Sequence, residues 1–132
     1  MIQRVQSIWL LLASAAVLLT LKLPTLVTGD LYQTYDASHN FFLMVITSAL
    51  GMALLINIFL FKHRTVQFRI CIISILVECL IIFLYAYHLK DPIKGTFNIW
   101  AILHVIILIT LFMAARGIYK DEKLIKESSR LR

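Results

Sequence analysis

Apolar residues fall along this chain in four long blocks, without the spacing of a single helix stripe or the alternation of a half-buried strand. The blocks cover about residues 5–27, 41–61, 69–89 and 97–115. Each reaches the ~20 residues that a ~30 Å hydrocarbon core requires at a rise of 1.5 Å per residue. A helix of that length in a water-soluble domain would carry a polar stripe, and these do not. The pattern predicts an all-α polytopic membrane protein with four transmembrane helices.

The connections are short. The first, "TGDLYQTYDASHN", has Gly29, Asp30, Asp36 and Asn40 as turn formers, with Tyr32 and Tyr35 placed like an interfacial aromatic belt. The second, "KHRTVQF", is a tight turn, and the third, "KDPIKGT", uses Pro92 and Gly95 to reverse the chain. Short connections make successive helices antiparallel neighbours, which gives an up-down-up-down bundle over residues 1–115. Small residues mark where its backbones approach: Ala13 and Ser14 on the first span, with Ala49, Gly51 and Ala53 on the second.

At the start, Arg4 and the small residues Ala13, Ser14, Ala15 and Ala16 mimic a signal peptide. The apolar run continues past them to Leu21, which predicts an uncleaved first span. After Ala115 the composition changes abruptly to charged helix formers. Residues 116–132 read as a short amphipathic cytoplasmic helix, with Gly117 as a bend at the membrane surface and Ile118, Leu124, Ile125 and Leu131 on one face.

Charge then orients the chain. Of its 13 Lys and Arg residues, Arg4, Lys62, Arg64, Arg69, Arg116, Lys120, Lys123, Lys126, Arg130 and Arg132 share one side of a four-span topology. Lys22, Lys90 and Lys94 occupy the other. That bias places both termini in the cytoplasm. The net charge of +6 is thus a topology signal, and it predicts contact of the tail with anionic phospholipids at the cytoplasmic face. With few aromatics among these cations, nucleic-acid binding is not expected.

The polar residues inside the blocks are few. Glu78 shares a helix face with Cys71, Ser74 and Tyr85. A charge at mid-membrane costs about 2.5–3.5 kcal/mol, so it calls for a partner. Counted from the cytoplasmic end, Glu78 is ~15 Å deep and His104 on the next span ~18 Å deep. A Glu78–His104 hydrogen bond or ion pair follows from that match, with Ser14 at comparable depth and Asn57 bonding across helices nearer the cytoplasm. Lys22 can snorkel outward. Structural glue between helices is the blander reading of the pair and outweighs a proton pathway, which usually needs further relays and broken helices.

Enzyme motifs are absent: there is no Gly-rich phosphate loop, HExxH or GxSxG. His39, His63 and His88 lie at loops or span ends, so His104 has no second histidine at its depth for haem. Cys71 and Cys79 lack zinc spacing, lie ~12 Å apart along one helix and read as small buried hydrophobes. Neither metal nor cofactor is expected.

Two stretches, "MIQRVQSIWLLL" at residues 1–12 and "ARGIYKDEKLIKESSRLR" at residues 115–132, resemble the uncharacterised four-span inner-membrane family of Bacteroidota known as domain of unknown function 4293. The resemblance implies a bacterial cytoplasmic membrane location and no particular activity. The residues that carry it are cytoplasmic and of mixed charge, which suits docking better than catalysis. The function expected is a non-catalytic accessory or stabilising subunit of a larger membrane complex. Protein export or insertion machinery is favoured over respiratory complexes because no cofactor ligands are visible. The alternative is a stand-alone protein or homo-oligomer that handles a proton, ion or lipid-like ligand through Glu78 and His104.

Overall fold

The computed structural model describes residues 2–28, 33–35, 40–88 and 96–130, with the side chains of residues 2–4, 28, 33–35, 88 and 96 outside the description. Four helices dominate: α1 (Ile2–Thr20), α2 (Phe41–Phe59), α3 (Arg64–His88) and α4 (Ile102–Arg130). Helices α2, α3 and α4 are long and apolar enough to cross a membrane, while the apolar part of α1, Val5–Thr20, is shorter. Each helix packs chiefly on two others, α1 and α3 both lying between α2 and α4.

The helix boundaries have local causes. Asn40 caps α2 by accepting a hydrogen bond from the Phe42 amide at 3.1 Å, which satisfies one of the free N–H groups of the first turn. The 60–63 turn then leads directly into α3, and Gln67 N–H already donates to the His63 carbonyl at 3.0 Å. At the end of α1, the Thr20 hydroxyl donates to the Val17 carbonyl at 2.6 Å, and Pro24 follows four residues later.

The first block is not one helix over residues 5–27. Beyond Thr20 the chain turns and enters a small antiparallel sheet of three strands: β1 (Leu26–Thr28), β2 (Gln33–Tyr35) and β3 (Thr96–Phe97) in the order β2-β1-β3. Leu26 is opposite both Tyr35 and Phe97. The Asn98 amide donates to the Thr25 carbonyl at 3.0 Å and the Asn98 side chain caps a 3-10 turn, Ile99–Ala101, that starts the last helical segment. The sheet thus joins two connections that the sequence treats as separate loops. Strands of two and three residues carry almost no periodicity of their own, which is why the pattern hides them. Tyr32 and the 89–95 connection lie outside the described residues, as does the side chain of Tyr35.

The larger correction concerns the tail. Helix α4 runs unbroken from Ile102 through Arg130, so residues 116–130 continue the last apolar helix and do not form a separate one. Gly117 lies inside this helix and does not interrupt it. Its place in the helix is explained by α1: a Cβ there would come within 2.9 Å of Gln6 Cγ. The missing side chain lets α1 approach α4. Gly51 does the same for α1 and α2, where a Cβ would meet Leu18 Cδ2 at 2.9 Å.

Leu10, Ala13, Val17, Leu54, Ile81, Ile107 and Leu111 form the buried centre. The outward faces are also apolar: Leu76, Phe83, Ile109 and Phe112 are all exposed. A bundle apolar on both faces lacks the polar coat of a water-soluble one.

Candidate functional site

Two polar clusters are buried where α4 meets its neighbours, and a further set lies at the α2–α3 seam. The first is centred on α3 and α4, whose facing sides bring Glu78 Oε1 within 2.6 Å of His104 Nδ1. Both residues are buried, at 1% and 4% exposure. One shared proton satisfies the contact, either on imidazole Nδ1 donating to the carboxylate or on a carboxyl donating to Nδ1. The Tyr85 ring, about two turns along α3 from Glu78, lies 5.4 Å from the imidazole at 54°. Cys71, Ser74, Glu78 and Tyr85 are buried along one side of α3, as their spacing requires. Imidazole Nε2 makes no hydrogen bond among the described residues.

Ser14, although buried, does not join this cluster; its hydroxyl donates to the Leu11 carbonyl of its own helix at 2.9 Å. Cys71 belongs to a neighbouring set at the α2–α3 seam. There Asn57 Nδ2 donates to Cys71 Sγ at 3.4 Å and to the Gln67 carbonyl at 3.3 Å, and Gln67 Nε2 returns a bond to the Asn57 carbonyl at 3.1 Å. Cys79, expected to be buried, is exposed: it follows Glu78 by one position and so points away from the core side.

The second cluster is at the opposite end from the sheet, where the Lys and Arg residues gather. Asp121 of α4 is buried at 5% exposure and receives two donors on Oδ2: Gln6 Nε2 of α1 at 2.6 Å and Arg64 Nη1 of α3 at 3.1 Å. Around it, the Thr65 hydroxyl donates to Glu122 Oε1 at 3.3 Å, and the Phe68 and Tyr119 rings lie 5.9 Å apart. Three helices therefore converge on one carboxylate. The sequence reading missed this cluster because it ended the apolar repeat at Ala115. The buried positions of α4 run on through Ala114, Ile118 and Asp121 at helical spacing, so the signal was the continuation of that register into charged sequence.

That register also corrects the expected amphipathic face. Ile118 is fully buried, whereas Leu124 and Ile125 are 48% and 51% exposed. Arg116, Lys120, Lys123, Lys126 and Arg130 are exposed on this segment, with Lys126 paired to Glu122 at 2.9 Å. The Arg4 side chain, Leu131 and Arg132 lie outside the described residues.

Among the small residues, Ala13, Ser14 and Gly51 are buried where α1 packs. Ala49 and Ala53 are not part of that contact and instead line a groove between α2 and α3. Each is two residues from Gly51, a rotation of about 200°, so they share a face that Gly51 does not. Among the described residues, no three His, Cys, Asp or Glu side chains gather as metal ligands would.

The arrangement defines an all-helical protein with three helices long and apolar enough to cross a membrane, a shorter apolar fourth, and buried polar contacts that tie them together. The chain belongs to the family described as domain of unknown function DUF4293, whose model matches residues 2–131. No curated protein and no solved structure matches it.

Proposed function

We propose that this is a four-span protein of the bacterial inner membrane, of the Bacteroidota type, and that it serves as a non-catalytic accessory or stabilising subunit of a larger membrane complex. Both termini and the 60–63 turn are cytoplasmic in this reading, as the distribution of Lys and Arg favours. Protein export or insertion machinery is the favoured host.

The observation that carries the reading is the α4 extension. Buried Asp121 clamps it to α1 and α3, so the helix stays rigid beyond the apolar core. Its outward side nevertheless exposes Tyr119, Leu124 and Ile125 among Lys120, Lys123, Lys126 and Glu127, with Lys123 and Lys126 paired to Glu127 and Glu122. A preorganised helix that presents apolar anchors within a rim of mixed charge suits docking, because little ordering entropy remains to be lost on binding. The buried polar groups, by contrast, are largely engaged with one another, which suits holding the bundle together.

Purification in mild detergent followed by mass spectrometry tests the proposal. A stoichiometric membrane partner is expected, and elution of the chain alone contradicts the reading. A second reading, proton or ion handling by Glu78 and His104 in a stand-alone protein or homo-oligomer, is favoured by one observation: Nε2 of the buried His104 lacks a hydrogen-bond partner among the described residues. In that case Glu78→Gln abolishes function while leaving assembly intact.

A further inference from the structure

We propose that an internal water bridges His104 Nε2 of α4 to the Thr47 hydroxyl of α2, in a polar layer of the bundle at the level where α1 ends. The inference rests on the membrane reading above and is independent of the identity of any protein partner.

Two close approaches fix the levels of the helices. Gly51 of α2 abuts Val17 and Leu18 of α1, and Gly117 of α4 abuts Gln6. Both α2 and α4 run antiparallel to α1. Counted from these points, Thr47 is level with about residue 21 or 22 on the α1 side and His104 with about residue 19, a difference of ~4 Å. The α2–α3 seam agrees. Asn57 bonds to Gln67 and Cys71, so Thr47, ten residues before Asn57, is level with residues 77–81, which bracket Glu78. Thr20, Thr47, Glu78 and His104 therefore form one layer, with one residue from each helix.

Two buried atoms of that layer lack partners. Thr47 is 2% exposed and His104 4%. Neither Thr47 Oγ1 nor His104 Nε2 makes a hydrogen bond among the described residues, so they are not bonded to each other. Other buried hydroxyls of the bundle turn back on their own helix, as Thr20 does to Val17 and Thr110 to Ile106 and Ile107. Thr47 does not. A buried polar atom without a partner is costly, and a water with two to four polar neighbours removes the cost. Here Nε2 and the Thr47 hydroxyl supply two neighbours, and Thr20 Oγ1, which donates to Val17, retains lone pairs to accept from a third direction.

The end of α1 favours hydration at this level. Thr20 is level with Ser48 or Ala49, near the middle of α2, and beyond it only α2, α3 and α4 continue as helices among the described residues. The chain turns through Leu21–Leu23, whose amides donate to the Leu18 and Leu19 carbonyls, and reaches β1 by way of Thr25 and Leu26, both buried. Backbone that leaves a helix at membrane depth is stable only where it is buried in protein or lines water. The layer thus adjoins the place where four-helix packing is interrupted.

The test puts the isotopically labelled full chain in phospholipid nanodiscs and reads magnetisation transfer from water to side chains by NMR. Transfer to the His104 ring and the Thr47 methyl should be several-fold stronger than to Leu54 and Ile107, which are also buried but apolar. Transfer no stronger than at those two overturns the proposal. Thr47→Val removes the hydroxyl and keeps the shape, and should lower the transfer at His104 several-fold. Thr47→Ser keeps the hydroxyl, should leave that transfer unchanged, and decides the matter if the Val variant does not fold. Undiminished transfer at His104 in a folded Thr47→Val, or its loss in Thr47→Ser, overturns the bridge. A short Thr47–His104 contact without water transfer also overturns it, in favour of a direct hydrogen bond. A chain that enters no nanodisc contradicts the membrane reading as well; one that enters with this layer dry contradicts the water site alone.

Discussion

Glu78 Oε1 and His104 Nδ1 lie 2.6 Å apart across 26 residues of sequence, each the other's buried partner. Along the same α3–α4 seam, Arg64 meets Asp121 at 3.1 Å. The two contacts are separated by 14 residues on α3 and 17 on α4, ~21 and ~26 Å of helix. Two polar contacts so far apart pin the register, because a slip of one turn would break both and leave buried polar groups without partners.

Replacing Glu78 therefore separates shape from hydrogen bonding. Glu78→Gln keeps an acceptor for imidazole Nδ1–H and is expected to unfold within about 1 kcal/mol of the parent, the scale of one interhelical hydrogen bond. Glu78→Leu leaves His104 buried without its partner, a change that costs about 3–5 kcal/mol in buried pairs. Thermal or denaturant unfolding in detergent should show the large loss for Leu only. Adding His104→Leu to Glu78→Leu should recover part of it, since the orphaned group is then removed.

Gly117 offers a contrast between local preference and packing. In an isolated helix, Gly117→Ala would add about 1 kcal/mol of stability. Here the new Cβ would lie 2.9 Å from Gln6 Cγ, so it displaces Gln6 and weakens the amide bond to Asp121. A hydrogen bond to a charged group contributes about 1.5–3 kcal/mol, so the loss outweighs the gain. Unfolding measurements should find Gly117→Ala less stable than the parent and Gly117→Val less stable again. A stabilised Gly117→Ala would mean that Gln6 holds nothing.

Asp121→Ala should free the end of α4 without unfolding the rest. Gln6 loses its acceptor and Arg64, 17% exposed, can turn to water, so the cost falls mainly on the clamp. Hydrogen exchange should accelerate in residues 118–130 and remain slow around His104. Uniform exchange across α4 would show that Asp121 does not hold the extension.

The Glu78–His104 contact was readable before the fold because membrane depth is a one-dimensional count, and short connections made the two helices neighbours. The basic-end cluster was not readable in the same way. Asp121 sits among Lys120, Glu122 and Lys123, where composition suggests a solvated surface, and only the continued spacing from Ile118 marks it as inward-facing. Gly117 looks like a bend for the same reason: glycine after an apolar block often ends a helix, and nothing local reveals that Gln6, over a hundred residues earlier in the chain, needs the space. The sheet escaped because its strands are shorter than any period that could identify them. Composition alone points Ala49 and Ala53 to the α1 contact, although a helical wheel already sets them apart from Gly51.

In the proposed role, the clamped α4 extension docks this protein onto a larger complex. Removing residues 123–132 while keeping Asp121 retains the clamp residues and deletes Leu124, Ile125 and the charged residues that flank them. Mild-detergent purification of this truncated chain beside the full one, quantified by mass spectrometry, is the most direct measurement. A stoichiometric membrane partner is expected with the full chain, and its loss, at least tenfold, with the truncated but still folded one. Equal recovery of the partner by both, or no partner with either, would contradict it.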